Sequence, residues 1–114
     1  MTSASRIKGY NTQRKAIKEL ESQGWKVGIV ERNSKFAKER DLWGLFDAIA
    51  IKKNITLYLQ FATNRPHRHG DYESFSELYS GPNVLVEQWI WYDRKGWKIF
   101  KYYQGERTKE DLRK

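Results

Sequence analysis

The chain is 114 residues long, carries a formal net charge of +8 and contains no cysteine. That length permits one domain with a modest core, and the missing cysteines exclude disulfides and thiolate zinc sites. Charged residues at 32% and aromatic residues at 15% exclude a disordered chain, while five Trp, seven Tyr and five Phe exceed the usual needs of so small a core.

Some of those rings therefore belong to a surface or an interface. The basic excess points to nucleic acid as the partner, because phosphate neutralisation supplies most non-specific affinity; a well-solvated basic surface is the alternative. Residues 1–8 hold no apolar core of signal-peptide length, and no stretch approaches a membrane span. The expectation is a soluble cytoplasmic protein, intracellular and without membrane contact.

In chain order, residues 1–8 read as loose. Tyr10 to Gln23 has helical spacing, with Ala16, Ile17 and Leu20 on one face, Asn11 or Thr12 as cap and Gly24 as stop. Trp25, Val27 and Ile29 then alternate with Lys26, Gly28 and Val30, as a strand does. Residues 31–40 form a polar connector with Arg32, Lys35, Lys38 and Arg40; ten residues is long for a hairpin loop, and such loops are often functional. From Asp41 to Thr63 the pattern is two buried strands around a Lys52-Lys53-Asn54 turn, the first centred on Ala48–Ile51 and the second on Leu57–Ala62. Asn64 to Gly70 breaks the chain with Pro66 and Gly70. Asp71–Tyr79 reads as a short helix, and Val84–Tyr92 with Trp97–Tyr103 as a hairpin. Residues 1–105 make one domain on this reading, and the charged tail 106–114 is expected to be frayed or weakly helical. The sum is an α/β fold, a mixed central sheet flanked by helices in the order helix, three strands, helix, two strands.

Two polar residues stand out in the central pair of strands. Asp47 sits at the mouth of the first, and Gln60 lies inside the second, where a core strand would prefer an apolar residue. A carboxylate and a polar side chain on adjacent strands is an arrangement that metal-dependent nucleases use to bring oxygens to one Mg²⁺. Gln60 is read equally well as a buried amide hydrogen-bonded across the sheet, while for Asp47 the site reading is preferred to a strand-end residue satisfied by backbone donors.

The sequence resembles the PD-(D/E)XK, restriction-endonuclease-like nuclease superfamily, and within it the archaeal Holliday-junction resolvases. Lys8-Gly9, three residues, then Gln13-Arg14 follow that group's opening Lys-Gly and Glu-Arg; Gly24-Trp25 follows its helix end. Asp47-Ala48-Ile49-Ala50-Ile51 follows its Asp-led strand, and Gln60-Phe61-Ala62 stands where it has Glu-x-Lys. The resemblance spans residues 8–103. It implies a restriction-endonuclease-like fold, duplex or branched DNA as partner, a homodimer, and a catalytic site of Asp47, Gln60 and Gln13 with Mg or Mn on Asp47. Two of the three family carboxylates are Gln here, and Ala62 replaces the lysine that would stabilise developing phosphate charge. Asp41, Lys52, Lys53, His67 or His69 are the residues that could complete such a site from elsewhere. The other reading is a catalytically inactive domain kept as a DNA-binding or protein-assembly module. A third, a dimeric structural protein, leaves the +8 charge unused.

The candidate phosphate contacts are Lys8, Arg14, Arg32, Lys35, Lys38, Arg40, Arg65 and Arg68. His67 and His69 lack a convincing ligand set and are read with Arg65 and Arg68 as a cationic loop. Glu19 and Glu21 belong to the solvated face of the first helix. Trp89 and Trp91 share a strand face near Trp97, as core, dimer surface or base-stacking platform.

Overall fold

The computed structural model describes residues 4–30 and 42–112, with the backbone alone for residues 4–8. The connector with Arg32, Lys35, Lys38 and Arg40, and Asp41 after it, lie outside the described residues. Helix α1 (Ala4–Ser22) begins well before the expected start at Tyr10. It buries a narrow ridge of Thr12, Ala16 and Leu20, four residues apart and therefore stacked on one face. Its end is a Schellman turn: Trp25 N–H reaches Leu20 C=O at 3.1 Å, Gly24 N–H reaches Glu21 C=O at 3.0 Å, and Gly24 takes φ +94°. Lys52 Nζ caps the same end, 2.6 Å from the Gln23 carbonyl.

Six strands follow in one sheet, ordered as in the chain: β1 (Lys26–Ile29), β2 (Ala48–Lys52), β3 (Ile55–Thr63), β4 (Val84–Tyr92), β5 (Gly96–Tyr103) and β6 (Glu106–Leu112). All neighbours are antiparallel except β3 and β4, which run parallel because α2 (His69–Tyr79) crosses between them. The mixed α/β architecture expected from the sequence is thus present.

The tail is a correction. Residues 106–112 are neither frayed nor helical but form edge strand β6, paired to β5 from Trp97↔Leu112 to Tyr103↔Glu106. Its turn explains why: Gln104 (φ 49°) and Gly105 (φ 89°) are both left-handed, the backbone of a type I′ hairpin whose twist matches the strands it joins. Backbone pairing needs no apolar side chains, and ion pairs from Lys101 to Glu110 (2.7 Å) and Arg107 to Glu73 (3.7 Å) suit an exposed edge.

The sheet separates two cores. On one face α1 packs Ala16 and Leu20 onto Ala48, Ala50, Leu57, Leu59, Phe61, Trp89, Trp97 and Ile99. Burying a Leu such as Leu20 or Leu59 stabilises the fold by about 1.5–3 kcal/mol each. Trp97 stacks edge-on against Trp89 (5.4 Å) and Trp91 (5.2 Å), and Lys15 Nζ lies 4.0 Å over the Trp91 ring. These three indoles belong to the α1 side of the sheet, with Trp89 and Trp97 fully inside the core. On the other face α2 closes a second, aromatic core of Phe46, Tyr72, Val86 and Tyr102, flanked by Leu42, Leu45, Tyr58, Phe75 and Phe100.

Candidate functional site

Because strand side chains alternate, Gln60 turns away from Leu59 and Phe61 and towards the α2 face. Asp47, just before β2, reaches the same point of the sheet: its Oδ2 accepts the Phe61 N–H at 3.0 Å. Gln60 Nε2 donates to the Phe61 carbonyl at 3.0 Å, so the two side chains hold opposite ends of one residue. Gln60 is only 3% exposed, and its buried Oε1 has no hydrogen-bond partner among the described residues. Such an orphaned acceptor costs about 1–3 kcal/mol.

A chain of hydrogen-bonded polar groups continues from there. Gln60 Nε2 approaches His67 Nε2 at 3.4 Å, and the His67 N–H is received by Gln88 Oε1. Gln88 is the parallel-register partner of Gln60 and is wholly buried. Its Nε2 donates to Tyr102 Oη at 2.8 Å, and Tyr102 lies 2.7 Å from His69 Nδ1. Since Tyr102 already accepts from Gln88, its own proton is directed to His69. Burial drives the Tyr102 phenol up to about 12, so it keeps that proton. Burial, reinforced by Arg107 and opposed by Glu73, holds the His69 imidazole below its ordinary value, which leaves Nδ1 free to accept. The His69 ring also meets Phe100 edge-on at 4.5 Å.

The sequence candidates are therefore divided. Asp47, Gln60 and His67 come together at Phe61, and His69 joins through Gln88 and Tyr102. Gln13 is half-buried on α1, one residue after Thr12, whose hydroxyl lies 2.7 Å from that of Thr63. No hydrogen bond among the described residues joins Gln13 to Asp47 or Gln60, and α1 packs on the opposite face from Gln60. Ala62 is buried, with no cationic side chain at its position. Lys52 is engaged at the end of α1, and Lys53 is exposed in its turn with φ 56°. Arg14, Arg65 and Arg68 are exposed, Lys8 lies on α1, and Arg68 pairs with Asp71 at 3.1 Å.

Among the described residues no group of three or more His, Cys, Asp or Glu is placed to hold a metal ion. At Phe61 there is one carboxylate, with Oδ2 committed to a backbone N–H, beside one neutral amide oxygen. Mg²⁺ and Mn²⁺ favour carboxylates, so the donors among the described residues do not by themselves fit a resident catalytic metal. Gln88 and Tyr102 do not stand out in the sequence as Asp47 and Gln60 do. Gln88 nevertheless carries the same signal as Gln60, an amide inside an apolar strand run, and that signal could have found it.

No protein-family model matches this chain, and no curated protein does. Among solved structures it is similar to Hjc, a Holliday junction resolvase from the archaeal hyperthermophile Archaeoglobus fulgidus. The similarity has a TM-score of 0.57 and 14% sequence identity, covering 90% of this chain and 88% of that one. It defines the fold: a resolvase-like α/β sheet with helices on both faces.

Proposed function

We propose that this protein binds DNA, duplex or branched, through a resolvase-like fold in which a hydrogen-bonded network around Gln60 stands in place of a carboxylate-rich catalytic centre. The observation that carries this reading is Gln60. Where the resembling family has Glu, an amide donates to the Phe61 carbonyl and approaches His67, whose backbone N–H joins the Gln88–Tyr102–His69 chain, with Ala62 in place of the lysine. The +8 charge supports phosphate as the ligand, and exposed Arg65 and Arg68, beside the site loop, are the contacts proposed within the described residues. Lys8 and Arg14 on α1 are further proposed contacts, and the basic residues of the 31–40 connector lie outside the described residues.

The test is anisotropy of labelled duplex and four-way-junction DNA across a salt series. Reversing charge at Arg65 and Arg68 should weaken binding and lower the slope of log K against log salt by about 2, one for each phosphate left without its cation. An unchanged affinity and slope would remove this loop from the interface, and no DNA binding by the parent would end the reading.

A metal-dependent endonuclease remains the second reading, favoured by the orphaned Gln60 Oε1 beside Asp47. Mn²⁺-dependent cleavage of branched DNA that Asp47→Ala abolishes would establish it. The homodimer expected from the aromatic surplus is not needed to cover Trp89, Trp91 or Trp97, which pack on the α1 side. Sedimentation at about tens of micromolar, where a weak dimer forms, decides that point.

A further inference from the structure

Beside this network lies a pocket of about 610 Å³ walled by Trp43, Tyr58, Phe75, Tyr79 and Val84. Its size is that of small-ligand sites, and four of the five described lining residues are aromatic. The rings brace one another: Trp43 lies 5.6 Å from Phe75 at 31° and 5.8 Å from Tyr58, and Phe75 lies 4.8 Å from Tyr79. Phe46 backs them, 4.9 Å from Phe75 and 5.3 Å from Tyr58.

Trp43 is held there against its backbone preference. It takes φ 58°, an unusual value for a bulky residue, followed by Gly44 at φ 69°. The turn is clamped by Leu42 N–H to Phe46 C=O at 2.9 Å and Phe46 N–H to Leu42 C=O at 3.1 Å. Despite that strain the indole remains 53% exposed, and Tyr79 60%. Strain of this kind persists where surrounding structure fixes it and concentrates at ligand sites.

We propose that this pocket takes one unstacked nucleobase of a DNA strand, an inference that rests on the DNA-binding reading above. Flat ring faces suit any base, because every base has a π-face. Charge complementarity holds for the chain as a whole at +8; α2 itself carries Asp71, Glu73 and Glu77, and exposed Arg68, paired with Asp71, directly precedes it. From Arg68 to Phe75 is roughly 10 Å of helix rise, which places a phosphate contact and a ring wall on one rigid element. Tyr58 and Gln60 are successive residues on one strand face, roughly 7 Å apart, so one wall of the pocket shares the sheet face of Gln60. Bases leave the stack most readily where DNA is unpaired or branched.

The experiment compares a fully paired duplex, the same duplex with an unpaired bulge, and a single-stranded oligonucleotide, all by anisotropy. Trp43→Ala and Tyr79→Ala alter exposed rings, and circular dichroism checks their fold. Each variant should bind the bulged and single-stranded DNA about tenfold more weakly, with paired duplex changed less than about twofold, and Trp43→Phe should retain the parent's affinity. If the parent binds DNA but Trp43→Ala loses nothing, or loses equally on all three, the pocket is not a base site while the DNA-binding reading stands. If Trp43→Ala instead breaks a dimer in sedimentation, the pocket is a contact between copies and the inference falls. If the parent binds none of the three DNAs, both readings fall together.

Discussion

Replacing Gln60 by Glu tests the site's geometry directly, since the change keeps the side chain's volume and alters only its charge and donors. In the parent, Nε2 donates to the Phe61 carbonyl at 3.0 Å, at a position 3% exposed. An ionised carboxylate there would set oxygen against oxygen and place a charge near Asp47. Losing a buried hydrogen bond costs about 1–3 kcal/mol, more when a charge is left unpaired, so about 3 kcal/mol is expected at pH 7. For a domain of this size that corresponds to a fall of roughly 10 °C in Tm. The sign with pH follows from linkage. Burial raises the new carboxyl in the folded state, so the cost is absent below the unfolded value of about 4.3 and grows as pH rises through the folded one. The protonated form restores the donor to Phe61. Urea unfolding followed by circular dichroism at pH 4 and pH 7 measures this difference. Mn²⁺ at about a hundredfold above its Kd should return about 2.7 kcal/mol at pH 7, and Asp47→Ala in the same background should cancel that gain. A variant as stable as the parent at pH 7, or one whose loss ignores pH, would refute the buried geometry of Gln60. Correct pH dependence without Mn²⁺ rescue would show that Asp47 and residue 60 do not converge on one ion.

Three further outcomes are expected. Tyr102→Phe keeps the ring but leaves buried Gln88 Nε2 without its acceptor, and should cost about 1–3 kcal/mol in urea unfolding. Burial raises the Glu87 carboxyl above the ordinary range, against the Trp89 Nε1–H bond at 2.9 Å and the charge of Lys101. Its ionisation therefore opposes folding increasingly as pH rises above the unfolded value. Glu87→Gln, which can still accept from Trp89, should be more stable than the parent at pH 7, with the gain vanishing towards pH 4, as urea midpoints at the two pH values will show. Gly105→Ala forces a Cβ onto a left-handed residue at φ +89° and should lower stability by about 1–2 kcal/mol; an unchanged urea midpoint would remove the type I′ turn as the reason β6 forms.

Elements whose signal is local were legible in the chain before any fold was known. Ala16 and Leu20 at helical spacing, Gly24 as a stop, alternation through Leu57–Ala62 and the Pro66–Gly70 break each express a preference that neighbouring residues decide. They were enough to give the α/β class and to single out Asp47 and Gln60. The charged segment 106–112 became a strand because β5 offered it backbone partners across a left-handed Gln104–Gly105 turn; the Gln-Gly pair was the visible clue, and the side chains pointed elsewhere. The indoles on β4 and β5 went to the α1 core because period-two alternation fixes which residues share a face, not which face a helix will cover. The same holds for the site. Gln60, Gln88, Tyr102, His67 and His69 are scattered over more than forty positions, and only the parallel pairing of β3 with β4 sets the two amides side by side. A hydrogen-bond chain between distant strands has no spacing in sequence, because its geometry is that of the folded sheet.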